Sequence, residues 1–125
     1  MNKQIETQNA PKPIGPYSQA IAFGNMVWVS GCIALNPHSG AMADESLAAE
    51  THQVLKNLKA IVEASGSSMS KIVKTTIYLT DMGSFTAVNE IYGQYFKSPF
   101  PARETVEIVA LPKGARVEIS CVASL

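Results

Sequence analysis

The sequence carries no surplus of charge of either sign, with 10 lysines and arginines against 10 aspartates and glutamates. That balance excludes functions resting on a broad basic face, such as duplex binding or adsorption to anionic lipid. Cysteine is scarce. Cys32 and Cys121 stand far apart, each in an apolar strand pattern, whereas disulfide frameworks, zinc sites and redox motifs need closer or richer Cys/His spacing. Both read as buried thiols that pack as small hydrophobes. His38 lies in a turn and His52 on a helix, with no further ligand at metal spacing. Both read as surface residues, and no metal is expected.

Long apolar runs are missing too. None approaches the roughly 18 residues of a membrane span, and "MNKQIETQNAPKP" lacks the apolar core of a signal peptide. The chain therefore reads as soluble and cytoplasmic. It has no G-x-S-x-G, P-loop or dinucleotide-binding fingerprint, so no cofactor is expected. No linker, repeat or low-complexity tract interrupts it, and residues 1–125 read as a single domain.

What is present is a well-patterned core, since hydrophobic residues make up 46% of the chain. In "AIAFGNMVWVSG" two apolar runs flank Gly24-Asn25, a two-residue hairpin signal. Strands over 18–23 and 26–32 should pair antiparallel, with "KQIETQ" as a short edge strand. From Ser46, the residues Leu47, Thr51, Val54, Leu55, Leu58, Ile61 and Val62 recur at helical spacing, and Gly66 supplies a stop. "KIVKTTIYLTD" reads as a strand with Val73, Thr75, Ile77 and Leu79 on one face. Ser84 is placed to cap a second helix whose buried stripe is Phe85, Val88, Tyr92 and Tyr95 or Phe96, ended by Pro99 and Pro101.

The last stretch, "PFPARETVEIVALPKGARVEIS", reads as two strands joined by a turn over 111–114. The order β-β-β-α-β-α-β-β implies an α+β fold, one mixed sheet with both helices on one face. Alternation places Val106 and Ile108 opposite Arg103, Thr105 and Glu107. In the second strand Val117, Ile119, Cys121 and Ala123 lie opposite Arg116, Glu118, Ser120 and Val122. With the apolar sets under the helices, Arg103 and Glu118 project from the open side of the sheet. Hairpin register would set Arg103 opposite Val122, about 13 Å along the strand from Glu118. Either the two serve separate purposes, or they meet only where two subunits come together. The open face also presents Met26 and Trp28, or else Val27 and Val29, and a mixed face of this kind suits an oligomer contact.

In order along the chain, "APKPIGPYSQAI", "VSGCIALNPHSG", "VKTTIYLTDM" with "FTAVNEIY", and "FPARETVEIVALPKGARVEIS" together resemble the RidA (YjgF) family of reactive-intermediate deaminases. The resemblance implies a chorismate-mutase-like fold and a homotrimer with ligand clefts between subunits. It implies hydrolysis of 2-imino acids or enamines, such as 2-iminobutanoate and 2-iminopropanoate, to 2-oxo acids and ammonia. Such imines are released by pyridoxal-phosphate-dependent dehydratases. Arg103 matches the arginine that holds the substrate carboxylate, where a planar guanidinium gives two parallel hydrogen bonds. Glu118 matches the carboxylate that positions or activates water. Tyr17, Ser30, the Gly31 backbone and Asn89 match further cleft positions. Thr105 stands where many relatives have cysteine. Its backbone amide can still meet a carboxylate, while thiol chemistry there is lost. A trimer would bring Glu118 of one chain toward Arg103 of another. A non-catalytic trimer that binds 2-oxo acids is the alternative, and it would need Arg103 but not Glu118. A ribonuclease is disfavoured by the zero net charge and the lack of an aromatic stacking platform.

Overall fold

The computed structural model describes residues 1–125. Its first turn is the two-residue loop Gly24–Asn25, in which Gly24 takes a φ of +62° that a side chain would resist. The loop joins β2 (Ala20–Phe23) to β3 (Met26–Cys32), with Phe23 opposite Met26. β1 (Lys3–Ile5) adds an antiparallel edge to β2. Helix α1 (Leu47–Ala64) starts at Ser46, whose side chain accepts a hydrogen bond from the Ala49 N–H at 3.0 Å. Its apolar stripe buries Val54, Leu55, Leu58, Ile61 and Val62 against the sheet. Full burial of each leucine contributes about 2 kcal/mol.

β4 (Ile72–Leu79) buries Thr75, Ile77 and Leu79 on the helix side. Val73, expected with them, is 46% exposed. A bulge between Ile72 and Lys74 opposite β6 slips the alternation by one residue there. Helix α2 (Phe85–Gly93) buries Val88, Ile91 and Tyr92. Ser84 makes no side-chain cap. The Asp81 carboxylate instead accepts from the Gly83 N–H at 2.8 Å, capping the single 3-10 turn that leads into the helix. His52, expected at the surface, is half-buried, and its Nδ1 lies 2.8 Å from the Tyr95 hydroxyl.

β5 (Ala102–Glu107) and β6 (Val117–Ser124) complete one six-stranded mixed sheet, ordered β1-β2-β3-β6-β4-β5, with both helices packed on one face. The expected terminal hairpin does not form. β5 runs parallel to β4, while β6 lies antiparallel between β3 and β4. The cause is the crossover: a strand, a helix laid on the sheet and a following neighbour strand return in the same direction. The connection over 108–116 then passes the end of β4. There the Ile108 N–H donates to the Leu79 carbonyl, and the Thr80 N–H donates to the Arg116 carbonyl.

This pairing overturns the expected faces of β5. Arg103 stands opposite Thr75 and Thr105 opposite Ile77, so both belong to the helix side. Val106, expected in the core, stands opposite Tyr78 on the open side and is 38% exposed. Ile108, expected with it, lies beyond the strand. Glu118 also stands opposite Tyr78 and faces the open side, as expected. Arg103 and Glu118 are thus on opposite faces of the sheet, separated by β4. Met26 and Trp28 are the outward pair in β3, because Val27 and Val29 are buried. Arg116 also departs from the expected open face. It reaches α1, where Glu50, wholly buried, accepts from its Nε and its backbone N–H, both at 2.7 Å.

Candidate functional site

Six of the seven residues singled out in the sequence gather in two groups, and Asn89 and Arg103 define the second. The first group lies where β3 is irregular. Between Val29, opposite Cys121, and Cys32, opposite Ile119, the pair Ser30–Gly31 faces Ser120 alone. Such a bulge bends the strand and re-aims its side chains. The Ser30 N–H donates to the Gln19 carbonyl at 3.0 Å, and its hydroxyl donates to the Ser18 carbonyl at 2.7 Å. With its proton committed, the Ser30 oxygen is left to accept from a ligand. Tyr17 sits on the preceding loop, where its hydroxyl accepts from the Ile14 N–H at 3.3 Å and keeps its own proton free.

Glu118 lies across the bulge. A Cβ at residue 31 would overlap the Glu118 carboxylate, lying 2.7 Å from its Cδ and 3.1 Å from its Cγ. Glycine is therefore required there for space. The carboxylate is half-buried and accepts no hydrogen bond within the chain, and burial raises its pKa above the ordinary carboxylate value. A carboxylate held this way is a better proton acceptor than a solvated one. Tyr17, Ser30, Gly31 and Glu118 line one cavity of about 390 Å³, walled on its other sides largely by aliphatic side chains and proline.

The second group is built on β5 and α2. Phe85, Asn89 and Tyr92 follow at i, i+4 and i+7, one face of the helix, and all three meet Arg103. Its Nη1 donates to Asn89 Oδ1 at 2.8 Å. Its guanidinium carbon lies 4.9 Å from the Tyr92 ring centroid and 5.6 Å from that of Phe85. The Tyr92 hydroxyl pairs with Thr75 Oγ1 at 2.7 Å, and Thr75 is the strand partner of Arg103. A cation held by two rings and one amide is pre-oriented, with its remaining N–H groups free for an anion. Burial raises the Tyr92 pKa, so its phenol stays neutral and leaves the cation uncompensated. Thr105 lies on the same strand face two residues on.

Phe85 and Tyr92 belong to the expected buried stripe of α2, yet their spacing with Asn89 also makes them the face that meets Arg103. Gln19 is a further contributor that was not expected. This buried amide accepts from the Thr7 N–H at 2.8 Å and donates to the carbonyls of Thr7, Ala10 and Pro11, fixing the loop that carries Tyr17. A polar residue at the start of an apolar strand was the available signal. Lys12, at the same cavity, carried none.

Both cysteines are buried and free. Desolvation pushes Cys121 up to about 12 and Cys32 higher still, so neither is a thiolate near neutral pH. No three His, Cys, Asp or Glu side chains lie close enough together to hold a metal ion. No helix is long and apolar enough to cross a membrane.

Proteins similar to this chain are numerous. The chain is 49% identical to the chloroplastic Reactive Intermediate Deaminase A of Arabidopsis thaliana, over 97% of its own length and 65% of the plant protein. It is 46% identical to the human 2-iminobutanoate/2-iminopropanoate deaminase, covering 98% of this chain and 90% of that one. The crystal structure of YyfA from Yersinia pestis, a Rid-family protein of unknown function, superposes with a TM-score of 0.97 at 48% identity over the whole of both chains. The family model described as Endoribonuclease L-PSP matches residues 7–125, and with these relatives it shows that the chain belongs to the Rid family.

Proposed function

We propose that this chain is a hydrolytic deaminase of the cytoplasm, acting on reactive 2-imino acids and their enamine tautomers. Its products are the 2-oxo acid and ammonia. The observation that carries the reading is the division of the site. A pre-oriented guanidinium and an unpaired, burial-raised carboxylate stand on opposite faces of one sheet with β4 between them. Within one chain they cannot share a small substrate. In a homotrimer, β5 of one subunit laid beside the Glu118 cavity of the next joins them. The mixed open face, with Trp28 46% exposed beside Val122, suits such burial.

Arg103 holds the substrate carboxylate with the N–H groups that Asn89 leaves free. This places the imine carbon at the neighbour's Glu118. Glu118 takes a proton from water as the water oxygen bonds to that carbon, and the C=N electron pair moves to nitrogen. Glu118 returns that proton to nitrogen, giving the neutral carbinolamine. It then takes the hydroxyl proton and passes it to nitrogen as the C–N bond breaks, releasing ammonia and leaving C=O. Ser30 accepts from the imine N–H, and the Tyr17 hydroxyl donates to the developing oxygen. The sequence of steps consumes only water and is proton-neutral over the cycle.

The names of the human and plant relatives support this chemistry. The family description instead names an endoribonuclease, but 10 basic against 10 acidic residues offer no electrostatic track for a polyanion. Pyridoxal-phosphate-dependent dehydratases, which release such imines, are the functional partners we assign. The test is to generate 2-iminobutanoate in situ and follow its decay with and without the protein, subtracting spontaneous hydrolysis. Decay at the background rate would refute the reading. Sedimentation equilibrium at micromolar concentration should give about three times 13.4 kDa. Monomer alone would remove the shared site.

A further inference from the structure

One buried polar side-chain atom in the chain has no hydrogen-bond partner: the hydroxyl oxygen of Thr105. Folded proteins leave few such atoms, because burying an unpaired hydroxyl forfeits its bonds to water. Its opposite number on β4 is Ile77, which offers only methyl groups. The surroundings sharpen the anomaly. Around Arg103 the other polar groups are spent within the chain, Asn89 on Nη1 and the Tyr92 hydroxyl on Thr75. The unpaired hydroxyl and the free guanidinium N–H groups thus lie on one strand face, two residues apart.

We propose that the Thr105 hydroxyl is a second binding group for the substrate carboxylate, donating to it beside Arg103 and raising the site's preference for a carboxylate over an uncharged group. Thr105 is half-buried although its hydroxyl is not exposed. A staggered step about χ1 would re-aim the hydroxyl. That step breaks no bond, because the inward position makes none. A charged acceptor then supplies the partner the free chain lacks, and such bonds are stronger than neutral ones. The ligand's identity as an imino or oxo acid rests on the deaminase reading. The hydroxyl contact to a carboxylate does not.

The test compares Thr105→Val, which keeps the shape and removes the hydroxyl, with Thr105→Ser, which keeps the hydroxyl. Each is titrated calorimetrically with 2-oxobutanoate and assayed on 2-iminobutanoate in the assembled protein. Thr105→Val should weaken 2-oxobutanoate binding and raise KM about tenfold, the worth of one hydrogen bond to a charged group. Its kcat should stay within about twofold, because the carboxylate does not react and is held alike in ground and transition states. Its Tm should equal or exceed that of the parent, and Thr105→Ser should restore affinity to within about threefold. Affinity unchanged in Thr105→Val would overturn the proposal. So would a Tm several degrees lower that Thr105→Ser restores, since the hydroxyl would then be bonded inside the assembled protein. If the parent binds 2-oxobutanoate and Thr105→Val weakens it while neither hydrolyses imine, the deaminase reading fails and the Thr105 contact stands.

Discussion

Gly31→Ala tests whether the Glu118 carboxylate does its work where the structure holds it. The added methyl would meet Glu118 Cδ at 2.7 Å and Cγ at 3.1 Å, against the 3.5–4.0 Å at which carbons rest. The carboxylate must therefore move by about 1 Å. The move breaks no hydrogen bond, because the group makes none within the chain, and its end is free to swing. Stability should fall by only about 1 kcal/mol, the low end for overpacking, or about 4 °C in Tm for a domain of this size. Catalysis is less tolerant. A 1 Å misplacement of a reacting group costs about 100-fold, equivalent to about 2.7 kcal/mol of barrier.

The assay is the decay of 2-iminobutanoate beside a thermal melt. The expected result is a large loss of kcat/KM in a protein that still folds. A cycle with Glu118→Gln sharpens the inference, since both changes should act through one carboxylate. The double variant should then be no slower than Glu118→Gln alone. A folded Gly31→Ala protein with activity within threefold of the parent would refute the placement. Additive losses would move the effect of Gly31 to the bulge backbone.

Burial raises the Glu118 pKa, and a general base must be ionised, so the acid limb of kcat/KM should lie above the ordinary glutamate value of about 4.3; a limb at or below it would count against Glu118 as the base. The same raised pKa makes the protonated form the better-tolerated one: its relative stabilisation is complete below the unfolded pKa and is lost as pH rises through the folded pKa. Glu118→Gln should therefore melt above the parent at pH 8, with the gain vanishing on acidification to about pH 4. Glu50→Ala should cost about 3 kcal/mol in urea unfolding, at the low end for a broken buried pair, because the Arg116 side chain is 43% exposed and regains water.

Most of the elements were legible because periodicity and turn residues are local properties. The stripe of α1, the Gly24–Asn25 turn and the bounds of β3 each follow from a few neighbouring residues, while β2 begins at Ala20, two residues later than expected. The partner of β5 was not legible, because pairing is a long-range choice. In "ARETVE" neither alternate set is plainly apolar, so the strand does not declare its buried face. Pro112 and Gly114 punctuate 108–116 as a turn would, whether it doubles back or passes β4. Only the packing of α2 decides, and it sends β5 to the far side of β4. The candidate site residues were named through the resemblance, and the structure gathers them in two groups on opposite faces of the sheet. Gln19, Phe85 and Tyr92 act by holding other residues, which residue type alone does not disclose.

The division of the site makes a quantitative demand on mixed oligomers. Arg103→Ala removes the carboxylate anchor and leaves the Glu118 cavity intact, while Glu118→Gln does the reverse. Each homotrimer should be nearly inactive, because every cleft lacks one half. If the two are unfolded together in equal amounts and refolded, each cleft draws its arginine and its glutamate from different chains at random. It receives an intact arginine half the time and an intact glutamate half the time, so about a quarter of clefts should be whole, with about a quarter of the parent activity. A site contained in one chain gives no recovery, since no chain in the mixture carries both residues. Refolding each variant alone supplies the background. A mixed sample of trimers that stays at that background would place Arg103 and Glu118 in separate functions, and the inter-subunit cleft would have to be abandoned.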